Sequence, residues 1–195
     1  MISNVFIWLD ASPAHYWLAA WSAFGLAVAG AVDAFVSPAR RHWWQHPAVF
    51  PALMLLAVVL FRWPVLLDNR ELVDPDESQL IAGALTLRHD PMFWRSVDGT
   101  THGPLAQWPL LALHLAGTAL DYTTARTVSA LLAWAVAVGA WMVFRHWFGP
   151  RLAGVLVLPL LATQAFTHAW AFAAFCSEHS PAALVAVGCA ALLTA

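Results

Sequence analysis

Four stretches of about twenty residues, nearly empty of charge, constrain this chain more than any other feature: 15–36, 47–67, 127–144 and 152–175. An α-helix rises about 1.5 Å per residue, so roughly 20 apolar residues cross the hydrocarbon layer of a bilayer. Runs of this length and polarity read as spanning helices. The chain is 61% hydrophobic and 10% charged, against roughly 25% charged in a soluble domain. The expected fold is all-α: a polytopic membrane protein with about four to five transmembrane helices.

Basic loops orient these helices. The segment SPARRHWWQHP carries Arg40 and Arg41, and RHWFGPR carries Arg145 and Arg151. Short Arg-rich loops lie on the cytoplasmic side. Residues 47–67 then run outward, with Arg62 near the outer end, placed to snorkel. Residues 104–120 are apolar but contain Gln107, Pro109 and His114. If both basic loops are cytoplasmic, this stretch begins and ends outside, as a surface or re-entrant helix.

The region between, 73–104, is the one long polar island. Seven of the eleven acidic residues lie between Asp68 and Asp98. Asp74-Pro75-Asp76-Glu77 has the form of a helix start: Asp74 caps, Pro75 suits the first turn, and Glu77 completes a capping box. Residues 76–88 carry Leu80, Ile81, Ala84 and Leu85 on one face, the pattern of an interfacial amphipathic helix. Residues 90–103 hold DP, DG and HGP steps and read as loop. Two juxtamembrane surface helices are thus expected in the first large outer loop. The organisation is two membrane helices in 1–67, an extracytoplasmic loop in 68–122 and further membrane helices in 123–195.

This topology places Asp76, Glu77, Asp98, His102, Glu178 and His179 on one outer face. If 104–120 crossed the membrane, Glu178 would lie on the side opposite Asp76. Acidic groups beside a membrane are costly unless solvated, paired or metal-bound, so two clusters on one face read as a site. The remaining features exclude more than they suggest. Net charge is −2, with nine Arg and no Lys, and nothing points to nucleic acid. Cys176 and Cys189 fit no metal motif and are not expected to pair. No signal peptide is expected at the N-terminus. The last apolar run, 181–195, is short of a span, so the chain is expected to be part of a larger protein.

The order of short motifs resembles the GT-C glycosyltransferases, in particular the bacterial family 39-like enzymes of the protein mannosyltransferase and aminoarabinose transferase type. Asp76-Glu77 stands where these have a first-loop DE. His102-Gly103-Pro104-Leu105 stands where they commonly have KPPL. Ala125-Arg126 matches an AR opening a spanning helix, Phe148-Gly149 an FG after it, and Ser177-Glu178 a later acidic position. The resemblance covers residues 67–195. It implies transfer of a sugar from a polyprenyl-phosphate donor to an acceptor at the outer membrane face. By the same resemblance Asp76 is the base or acceptor-binding carboxylate, with Glu77 and Glu178 supporting it. A divalent metal would rest on Asp76 and Glu178. Arg95, His102 and Arg126 would face the lipid phosphate, with Asp98 and His179 nearby. Membrane lipid and the lipid-linked sugar are the implied partners. His102 replaces the family's usual Lys, so a fixed cation becomes one that titrates near neutrality. Glu178 replaces Asp and adds one methylene of reach.

Plainer roles stand beside these. Asp74, Asp76, Glu77 and Glu178 all suit helix N-termini electrostatically. Arg95 and Asp98 would make an exposed ion pair of small value. His102 suits a turn, and Arg126 suits snorkelling at the interface. His114 and His168 suit helix packing, and the tryptophans suit interfacial anchoring. A transporter fragment and a non-catalytic scaffold are the rival classes.

Overall fold

The computed structural model describes residues 11–37, 46–67, 74–97, 102–166 and 174–194. Every regular element among them is helical. Helix α1 spans Pro13–Val36, α2 Val49–Leu67 and α3 Pro75–His89. A 3-10 turn, Pro104–Ala106, leads into α4, Trp108–Leu115. Helix α5 spans Tyr122–Phe166 and α6 His179–Thr194. Three of these, α1, α2 and α5, are long and apolar enough to cross a membrane.

Local chemistry explains the helix ends. Ser12 Oγ accepts from the Ala14 N–H (3.2 Å), and Pro13 occupies the first helical position of α1. Helix α4 ends at Gly117, whose φ of 93° requires glycine. There the Thr118 N–H reaches Leu113 O and the Gly117 N–H reaches His114 O, both at 3.0 Å, a Schellman motif. The eight residues of α4 reach about 12 Å, far short of a bilayer. By length α4 alone is too short to cross, as expected of a surface or re-entrant helix.

Gly149 breaks α5 at φ 79°, ψ 165°, a conformation essentially closed to other residues, and Pro150 restarts the helix. The two limbs, 122–148 and 150–166, double back on each other. Arg62 proves it: its guanidinium bonds both Ser129 Oγ (3.3 Å) and Gln164 Oε1 (3.1 Å). In a continuous helix those residues would lie about 50 Å apart. The second limb is helical to Phe166, and Ala174–Cys176 are not helical. The expected helix over 152–175 therefore does not continue to Phe175. Arg40, Arg41 and His168 lie outside the described residues.

Small residues bring the helices together. Ala20, Ala23, Ala27, Gly30 and Ala31 form the buried stripe of α1. Gly154 lies against Ala31, within 3.2 Å of where a Cβ would stand. Phe50, Met54 and Val58 of α2 pack with Ala130, Ala137, Val157 and Leu161 of α5. Such close backbone approach drives helix association where the surrounding lipid is as apolar as the side chains. Between α5 and α6 a Cβ on Gly139 would stand 2.7 Å from the Ala186 carbonyl carbon and oxygen. Those are backbone atoms, so a side chain there forces the helices apart. Gly139→Ala is expected to destabilise the fold by about 1–3 kcal/mol, the usual range for overpacking. Gly188→Ala, with open space at its Cβ, serves as control; equal unfolding midpoints for the two variants would remove this account of the α5–α6 contact.

Helix α3 buries Glu77, Leu80, Gly83, Ala84 and Leu87. Leu85, expected on that face, is exposed at 39%. The inward stripe is rotated from the expected one: it centres on Leu80 and takes in Gly83 and Leu87, with Glu77 at its edge beside Ile81. Leu80 and Ala84 pack with Ala106, Leu110, Ala125, Val128 and Phe175, tying α3, α4 and the head of α5 into one small core.

Candidate functional site

The site starts at the N-terminus of α3. Asp74 has extended backbone, and its Oδ1 accepts from the Asp76 N–H (2.9 Å). Ser78 Oγ donates to Asp74 O (2.8 Å) and lies 2.7 Å from the Tyr122 hydroxyl. The start of α3 is thereby pinned to the start of α5. Asp76 and Glu77 are neighbours, so their side chains point about 100° apart on the helix. Asp76 is exposed and Glu77 is wholly buried.

Glu77 does not complete a capping box; it turns into the core. Its Oε2 accepts from Arg126 Nε and Nη2, both at 3.1 Å, and its Oε1 accepts from the Phe175 N–H at 3.0 Å. Arg126 is 1% exposed, donates through Nη1 to Val65 O (3.0 Å), and lies over the Tyr122 ring at 5.4 Å. One carboxylate thus joins α3, α5, the end of α2 and the 174–176 segment. Burial pushes the Glu77 carboxyl up from its ordinary value, while the Phe175 N–H and the Arg126 guanidinium pull it back down. Snorkelling, the plainer expectation for Arg126, is not what the chain does. A buried guanidinium needs a buried anion, and Glu77 supplies it.

A second polar layer lies behind this pair. Arg62, 4% exposed, donates through Nε to Gln164 O (3.2 Å) in addition to its bonds with Ser129 and the Gln164 side chain. Ser129 Oγ lies 3.3 Å from His179 Nδ1, and the Cys176 N–H donates to the same nitrogen (3.3 Å). That bond places the proton of a neutral ring on Nε2. Arg62 was expected to snorkel; instead it is held in the interior by neutral acceptors on both limbs of α5. Sequence reasoning missed Ser129 and Gln164 altogether. The available signal was polar residues inside apolar runs, which belong to bundle interiors by default.

Glu178 is exposed and His179 is buried at the start of α6. The Cys176 thiol's hydrogen bond, above other contributions, holds the Glu178 carboxyl below its ordinary value. Burial, followed by the Glu178 carboxylate, pushes the Cys176 thiol up to about 11. Since the thiolate is the nucleophile, maleimide labelling of Cys176 in a Cys189→Ala background should speed up about tenfold per pH unit from roughly pH 7 to 10. A rate that levels off near pH 9 would show an ordinary thiol.

The other expected site residues fall outside this cluster. Arg95 is exposed and clamps Asp90, which also bonds Ser96 Oγ and the Met92 N–H. Asp90 is thereby held well below the usual carboxylate range, chiefly by Arg95. Arg95 therefore has Asp90 as its ion-pair partner, and Asp98 lies outside the described residues. His102 is half-buried, 3.4 Å from Gln107 Nε2, and precedes the Pro104–Ala106 turn. His114 bonds Arg88 (3.0 Å) and Thr118 O (3.2 Å) rather than packing between spanning helices.

Among the described residues no group of three or more His, Cys, Asp or Glu is assembled to hold a metal. Both oxygens of Glu77 are occupied by protein donors. A cation at this end would rest on Asp76 and Glu178, a donor set suited to a hard ion that keeps several waters. The arrangement thus consists of a buried, fully bonded Glu77–Arg126 pair with an exposed carboxylate on each of the two segments it joins. In comparisons with family models, curated proteins and solved structures, nothing matches this chain.

Proposed function

We propose that this chain belongs to a GT-C-type glycosyltransferase that moves a sugar from a polyprenyl-phosphate donor to an acceptor at the outer face of a bacterial cell membrane. The observation that supports this reading is the Glu77 bond to the Phe175 N–H across 98 positions. It brings the first loop and the segment before α6 to one end of the helices, with Asp76 and Glu178 both exposed there. The Gly149 turn, flanked by Arg145 and Arg151, lies at the other end, because the limbs of α5 run from Ser129 and Gln164 toward it. Under this reading the limbs of α5 count as separate spans. With α1, α2 and α6 they make about five.

Asp76 accepts the proton of an acceptor hydroxyl as that oxygen attacks the anomeric carbon. The anomeric C–O bond to the carrier breaks, and its electron pair leaves on the phosphate. The leaving phosphate calls for donors or positive charge; His102 offers a donor, and Arg95 offers charge on exchanging Asp90 for the phosphate. Arg126 is spent on Glu77 and acts as a positioning residue, not as the phosphate's partner. A divalent cation held by Asp76 and Glu178 would supply charge stabilisation when bound. Membranes carrying the protein should transfer radiolabelled sugar from a polyprenyl-phosphate donor to a lipid or protein acceptor. Donor turnover equal to that of membranes without the protein would end this reading.

A transporter is the second reading, favoured by Arg62 buried inside α2 among Ser129, Gln164 and His179. Intramembrane charges of this kind mark substrate paths in transporters. Solute flux that survives Asp76→Asn and disappears in Arg62→Leu would favour it over sugar transfer.

A further inference from the structure

We infer that the groove between the Pro104–Ala106 turn, α4, α5 and α6 binds one acyl chain of a bilayer phospholipid, with an ester carbonyl of that lipid accepting a hydrogen bond from Ser180 Oγ. The cavity measures about 470 Å³ and is lined by Leu105, Trp108, Leu132, Ala183, Leu184 and Ser180, among others. That is within the range of small-molecule sites, about 300–1,000 Å³. Its wall on one side is α5, a helix long and apolar enough to span. With α5 read as a membrane span, the medium outside the groove is hydrocarbon. Trp108, Leu184 and Leu105 are exposed at 52%, 57% and 41%, so the groove opens toward that medium.

Ser180 sets the identity of the occupant. It is 3% exposed, and its Oγ has no hydrogen-bond partner among the described residues. A buried hydroxyl without a partner is costly, and Ser180 lines the groove, so rotation about its Cα–Cβ bond is what brings the Oγ to an acceptor seated there. The acceptor is neutral. No charged residue lines the groove, and Glu178 stands two positions before Ser180. A phosphate seated at Ser180 would lack the cations that phosphates require and would face a carboxylate. An ester carbonyl meets neither obstacle. It also sits where the chain of a phospholipid begins, so the carbonyl at Ser180 and the chain along Ala183 and Leu184 belong to one molecule. In a bilayer, apolar contact with protein gains little over contact with neighbouring chains. Retention therefore rests on shape and on the Ser180 hydrogen bond.

Titrate the purified, delipidated protein with a diester phosphatidylcholine and with its diether counterpart, which lacks the carbonyls, and count bound lipid by native mass spectrometry. The wild-type protein should bind the diester about fivefold to tenfold more tightly, the worth of one hydrogen bond. Ser180→Ala should erase the preference, and Ala183→Phe, which fills the groove, should lose both lipids. Equal binding of diester and diether by the wild-type protein would overturn the inference, and that comparison needs no variant to fold. A preference that persists in Ser180→Ala would overturn it as well. So would displacement of the diester by an equimolar polyprenyl phosphate, which would assign the groove to an isoprenoid carrier. Retention of no lipid at all would leave the groove to a protein segment. Lipid counting does not depend on sugar transfer, so this site and the proposed activity fail separately.

Discussion

Glu77→Gln is expected to cost about 3–5 kcal/mol of folding stability, the usual consequence of leaving one member of a buried ion pair without its partner. Arg126 is 1% exposed and Glu77 is 0% exposed. The variant leaves a guanidinium in the interior facing a neutral amide. The amide NH₂ cannot accept, so at least one of the three bonds made to Glu77 is also lost. Domains are stable by about 5–15 kcal/mol, so such a loss lowers the amount of folded protein in the membrane. Thermal unfolding in detergent, read by helical circular dichroism, measures it. Removing both charges should be gentler: Glu77→Leu combined with Arg126→Leu recovers a large part of the loss, because no uncompensated charge is left behind. A Glu77→Gln protein that melts within a degree or two of wild type would refute the structural role given to this pair.

Asp76→Asn should do the opposite, leaving the fold in place and removing turnover. Asp76 is exposed, and what it contributes to α3 is a favourable charge at the helix N-terminus, worth about 0.3–1 kcal/mol. Under the proposed reaction it accepts the acceptor's proton, and loss of a positioned general base lowers rates by about 10²–10⁴-fold. Asparagine is nearly the same size but cannot take that proton. Sugar transfer from a polyprenyl-phosphate donor, normalised to the amount of folded protein, should therefore fall at least a hundredfold while the melting curve barely moves. The pair of variants separates two kinds of importance in adjacent residues: Glu77→Gln fails by losing folded protein, Asp76→Asn by losing chemistry. Undiminished transfer in Asp76→Asn would remove the assignment of the base.

Much of the local architecture was legible. Uninterrupted apolar runs specify helices because backbone groups in lipid must pair within their own segment. Two turning points were written in short-range chemistry: Asp74-Pro75 opens α3 and Gly149-Pro150 reverses α5. Those residues act on backbone angles within a few positions, so no tertiary information is needed to read them. The same holds for the 104–120 stretch, where Pro109 in the first turn opens α4.

Which acidic residue faces inward was not legible. Asp76 and Glu77 are equivalent by composition and spacing; the phase of α3 against its neighbours buries one and exposes the other. Periodicity reports the angle between side chains but not the direction in which the protein lies. The partners of Arg62 and Arg126 were hidden for a related reason. An arginine in an apolar run reads the same whether it reaches the lipid headgroups or a carboxylate 49 positions away. By itself the sequence determined that this chain is made of apolar helices, where α3 begins, and that one polar segment separates them; the end of the last α5 limb at Phe166 was not written in it. The tertiary structure decided which charges meet. Helix formation is satisfied by neighbours four residues apart, whereas pairing of buried charges is satisfied by whatever the folded chain brings within hydrogen-bond distance.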